Sequence, residues 1–147
     1  MTTSDGLSGD SPGSGIFRQV ADTLVDLTRA ARTGAQPEAI RVAHTALRDQ
    51  WEAAANDATE AGAGSVDRFE TVAAALCVDA YRPALECLSL GRDATRELET
   101  ARDALRCLIR ARDAFVAGDP TMVRRWFRLA EITVAMEAER SAKDDRD

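Results

Sequence analysis

Apolar residues recur along this chain at alternating steps of three and four, the period that gathers them on one face of an α-helix. Phe17, Val20, Leu24, Leu27 and Ala31 form the first such seam, with Ser14 placed to cap its start and Gly34 its end. Pro37 suits a first helical position, where its missing N–H costs nothing, and Ile40, Ala43, Leu47, Trp51 and Ala54 form the second seam. The run Ala61-Gly62-Ala63-Gly64 breaks the pattern, Ser65 restarts it, and Phe69, Val72, Leu76 and Ala80 follow. Pro83 removes a backbone donor and crowds the preceding turn. It is expected to split this stretch, leaving a short helix from Ala84 to Leu90, or at the least to kink it. Ala94, Leu98, Ala101, Leu105, Leu108 and Phe115 make the most regular seam, which predicts a central core position for Leu105 and makes Arg112 an interruption. Gly118 ends that helix. Asp119-Pro120 reads as an N-cap followed by a first-position proline, and Val123, Phe127, Ala130 and Val134 carry the last seam, with Trp126 on its edge.

The expected fold is therefore all-α. Five or six helices, joined by short connections into antiparallel hairpins, form a helical bundle or a short array over residues 15–140. Residues 1–14, rich in Ser, Gly and Asp and containing Pro12, bury too little apolar area to offset their ordering entropy, and a disordered tail is expected there. Residues 141–147 are expected to be a charged C-terminal tail.

Composition supports the helical reading. Of the 147 residues 45% are hydrophobic but only 5% aromatic, so the core must be built mainly from Ala, Leu and Val. Of 19 basic residues only Lys143 is a lysine, and the formal net charge is −6. Few lysines, many alanines and an acidic balance resemble the composition of salt-adapted proteins from GC-rich genomes. A net negative chain has no global attraction for nucleic acid or an anionic membrane. The start lacks the basic and apolar regions of a secretory signal, and no run approaches a membrane span, so a cytoplasmic protein is expected. Cys77, Cys87 and Cys107 are odd in number and widely spaced, which suits small buried hydrophobes in a reducing compartment better than a disulfide or metal framework.

The positions around the turns share a pattern. Gly34 is followed by Ala39, Ala43 and Ala46; Gly118 by Val123, Phe127 and Ala130; and Asp79 by Ala84, Leu88 and Gly91, each at steps of five, four and three. This resembles the second half of a tetratricopeptide repeat, where a turn glycine precedes small and aromatic residues. The resemblance implies paired helices in close approach and stacked hairpins that form a groove for peptides.

Candidate chemistry is sparse. His44, the only histidine, is expected on an exposed helical surface, with no visible partner for acid–base or nucleophilic work. Asp49, Glu52, Asp57 and Glu60 give acid pairs three apart on one helix, a spacing able to hold Mg²⁺ as in all-α nucleotide hydrolases. A matching second helix is lacking; Asp22 and Asp26 come nearest. There is no phosphate-binding glycine loop.

Residues 92–128 stand apart in charge, with nine arginines against six acids. Arg102, Arg106 and Arg110 repeat at spacing four, and Arg124 and Arg128 flank Trp126 one helix later. Arginine beside an aromatic grips phosphate or carboxylate and stacks on planar groups. Local stitching through Glu99–Arg102, Asp103–Arg106, Arg110–Asp113 and Arg128–Glu131 competes with that use. The expectation is a non-enzymatic helical-hairpin module without a cofactor or metal. It binds another protein or itself, with Arg102, Arg106, Arg110, Arg124, Arg128 and Trp126 as the partner-binding residues. The alternatives are nucleic-acid or other polyanion binding through 92–128, and a Mg²⁺-dependent hydrolase.

Overall fold

A computed structural model describes residues 14–60 and 65–146. These hold five helices and no strand: α1 (Ser14–Arg32), α2 (Pro37–Glu60), α3 (Ser65–Ser89), α4 (Thr95–Val116) and α5 (Pro120–Arg146). The expected tail over 1–14 and the break at 61–64 lie outside the described residues, apart from Ser14, the first residue of α1. The charged end is helical through Arg146. No described helix is long and apolar enough to cross a membrane.

Three helix ends are set by glycine in the left-handed region, at φ 99° for Gly34, 71° for Gly91 and 76° for Gly118. At Gly34 the N–H of Ala35 donates to Ala30 C=O (3.0 Å); at Gly91 and Gly118 two bonds close the last turn, and at the latter Gly118 N–H donates to Phe115 C=O (3.1 Å) and Asp119 N–H to Ala114 C=O (2.9 Å). Only glycine adopts this conformation without steric cost, so the chain stops where the sequence places it. The next helix starts as expected, with Asp119 Oδ1 accepting from Met122 N–H at 3.2 Å.

Helix α3 is the centre of the molecule and contacts all four others. Ala73, Ala74, Cys77, Val78, Ala80, Tyr81, Ala84 and Leu85 are all buried along it. Its alanines let neighbouring backbones approach closely, and Ala101, Ala104, Ala111 and Ala130 do the same on α4 and α5. Pro83 does not split this helix, so of the five or six helices expected from sequence the five-helix form is found among the described residues, and Asp79, read as a turn position, lies within its run. An interior proline costs about 3 kcal/mol. Burial against four helices on most sides outweighs that cost here, because tertiary packing supplies most helical stability.

The expected hairpin packing holds for α4 and α5, which contact each other extensively, but α1 and α2 touch little and each packs on α3 instead. On α4 the fully buried leucine is Leu108, and Leu105 is only half-buried at the edge of the core. The inward face is centred on Ala101, Ala104, Leu108 and Ala111, a small rotation from the seam that marked Leu105. Phe69, Phe115 and Phe127 close one end, with Phe69 stacked on Phe115 at 5.2 Å and edge-on to Phe127 at 5.9 Å.

Candidate functional site: a cleft between α1 and α4

Because α1 and α4 both lie on α3 and scarcely touch each other, a cleft runs between them. One hollow of about 330 Å³ is lined by Val25, Thr28, Arg29, Arg32, Thr33, Tyr81, Leu98 and Arg102. A second of about 290 Å³ is lined by Phe17, Arg18, Ala21, Asp22, Val25, Leu105, Ile109 and Arg112. They share Val25. The lining residues ascend α1 as they descend α4, so the two helices form antiparallel walls. From Phe17 to Arg32 the cleft extends about 22 Å at 1.5 Å per helical residue.

Three arginines gather at the first end. Arg29 pairs with the exposed Asp26 at 3.3 Å. Arg32 and Arg102 have no carboxylate within ion-pair distance among the described residues. Tyr81 forms part of the floor. Burial raises the pKa of its phenol, Cys77 adds to the rise, and Arg102 opposes it. The other end is fixed by a buried carboxylate. Glu70 on α3 accepts from the backbone N–H of Phe17 at 3.1 Å and lies 3.4 Å from Arg112 Nε on α4. Arg112, the apparent interruption of the α4 seam, is thus the counter-ion of a buried glutamate and helps to tie three helices together.

The arginines singled out on α4 do not act as one face. A spacing of four advances about 40° per step around a helix. Arg102 accordingly lines the cleft, Arg106 bonds Asp103 Oδ1 at 2.9 Å, and Arg110 reaches α5, where its guanidinium sits 5.0 Å from the Trp126 ring centroid. Arg124 and Arg128 are exposed on α5 and join no ion pair among the described residues. Of the four local pairs weighed from sequence, only Asp103–Arg106 closes. Arg29 and Arg32 were missed. Both belong to α1, and their meeting with Arg102 depends on tertiary packing alone.

The remaining titratable groups are structural in placement. His44 is buried rather than exposed, and its Nε2 lies 2.9 Å from the Val78 carbonyl, fastening α2 to α3. It sits off the apolar seam yet faces α3, because the buried face of α2 is wider than the seam. Asp79 nearby has its carboxyl pKa raised by burial, opposed by Arg82 and reinforced by Glu52. Burial pushes the Cys77 thiol up to about 12, so it is inert in the folded chain; all three cysteines are free. Glu137, 2% exposed on α5, has Arg140 at 3.4 Å, and neither carboxylate oxygen makes a hydrogen bond among the described residues. Asp49 and Glu52 are exposed, and no group of three or more His, Cys, Asp or Glu able to hold a metal occurs among the described residues.

No protein-family model, curated protein or solved structure matches the chain.

Proposed function

We propose that this chain is a non-enzymatic helical module that binds another protein, taking an acidic amphipathic segment along the α1–α4 cleft. One observation carries the reading: the cleft combines an apolar wall, with Val25 and Ile109 exposed and Leu105 half-buried, and an end where Arg32 and Arg102 have no acidic partner among the described residues. An apolar face on the ligand fills the walls, and its carboxylates neutralise the arginines. Helix-in-groove recognition uses this combination. Charge complementarity favours a protein of acidic character over a neutral one and acts mainly on association rate.

The test is a crosslinked pull-down at native salt with the wild type and with Arg32→Glu combined with Arg102→Glu. Both side chains are exposed, so melting temperature is expected to stay unchanged. A protein held by the wild type and weakened about tenfold or more in the variant, with a salt-dependent on-rate, supports the reading. Equal binding of every recovered protein sinks it. Recovery of nucleic acid instead, with affinity falling linearly against log salt, transfers the function to the arginine face around Trp126. Magnesium-dependent nucleotide turnover lost on Glu52→Gln overturns the non-enzymatic assignment.

A further inference from the structure

Helix α5 lies at the edge of the molecule, packed along α4 and only lightly on α3. Its inward face carries Val123, Phe127, Ala130, Val134 and Glu137, all buried or half-buried. A second apolar stripe occupies the opposite face. Arg125, Leu129, Ile132, Met136 and Glu139 follow one another at steps of four, three, four and three, and all are exposed. Leu129, Ile132 and Met136 are 44%, 43% and 61% accessible. Isolated exposed apolar residues are ordinary on protein surfaces. Three consecutive positions of a three–four repeat form a seam of the kind that packs against another helix.

The charges at the two ends of that seam identify the occupant. The stripe reads basic, three apolar, acidic, and it is self-complementary about Ile132. We propose that α5 pairs antiparallel with α5 of a second copy of this chain. The two-fold axis passes beside Ile132, Leu129 of each copy packs near Met136 of the other, and Arg125 of each meets Glu139 of the other. The parallel arrangement sets Arg125 against Arg125 and Glu139 against Glu139, and like charges directly opposed are destabilising. An isologous two-fold contact requires only one self-complementary patch. This face is separate from the α1–α4 cleft, so either site can fail without the other.

Sedimentation equilibrium of the full chain over a concentration series tests the pairing, with circular dichroism melts as a control for folding. The wild type is expected to pass from monomer to dimer as concentration rises. Arg125→Glu alone and Glu139→Arg alone each weaken association about tenfold or more, because each leaves two like-charge pairs. The double variant carrying both changes restores it to within about threefold of wild type, because the swap recreates both opposite-charge pairs. A chain monomeric at every concentration overturns the proposal. A double variant no better than the single ones overturns it as well, since the association then runs through another surface. All positions changed are exposed, so a variant that melts like the wild type but dissociates isolates the contact.

Discussion

The α1–α2 and α4–α5 connections are made of the same local parts, yet one pair of helices packs along its length and the other hardly touches. Each connection ends a helix with a left-handed glycine and starts the next with a first-position proline. Between these, the α1–α2 turn holds Ala35 and Gln36, whereas the α4–α5 turn holds Asp119 alone. One residue turns the following helix by about 100°. In the shorter turn Asp119 also anchors the new helix through its side chain. The longer one begins with the Gln36 carbonyl accepting from Ile40 at 3.2 Å. Turn chemistry thus marks where a helix stops, while the phase of the next helix and the depth of the available partner determine where it packs.

If α4 and α5 share the tighter interior, Leu108→Ala is the most damaging of the changes considered, at about 2–5 kcal/mol by denaturant unfolding. Leu27→Ala on the half-buried flank of α1, and Leu105→Ala on that of α4, are expected to cost about 1 kcal/mol, since less of each side chain leaves water. Equal losses at Leu108 and Leu27 would erase the contrast between the two pairs. The next effect concerns what holds α1 if α2 does not. Glu70→Ala removes the acceptor of Phe17 N–H and strands Arg112, at a cost of about 2–3 kcal/mol, discounted because Arg112 is partly exposed. Arg112→Ala combined with it adds little more. Additive losses show that the two do not act as a unit. The smallest effect compares the turns directly. Asp119→Ala costs about 1 kcal/mol through the lost cap, and Gln36→Ala stays within about 0.5 kcal/mol. Matching values would show that the side-chain cap of the shorter turn contributes nothing.

Helix ends and apolar seams were readable because glycine, proline and Asp119 act within a few residues of themselves. Whether Pro83 splits α3 was not legible, because the local cost of an interior proline competes with the burial that surrounds that helix. Leu105 was placed too deep because a seam of period 3.5 drifts around a helix of period 3.6, and the true centre lies nearer Leu108. His44 and Arg112 each looked out of pattern. Their partners, Val78 and Glu70, stand 34 and 42 positions away, beyond the reach of any local rule. The arginine excess over 92–128 was legible as a count, but its division among a cleft, an ion pair and an indole ring depends on which helices lie beside α4. The meeting of Arg102 with Arg29 and Arg32 left no trace in spacing at all.

The sparse contact between α1 and α2 has a consequence during synthesis. A chain emerging from the ribosome exposes α1, then α2, before α3, the surface on which both settle, is complete at Ser89. At about 5–20 residues per second, α1 waits several seconds for its partner. In that interval two amphipathic segments with little to bury against each other are open to chaperones and to neighbouring nascent chains. The later pair is spared this delay, since α5 emerges onto an α4 already in place.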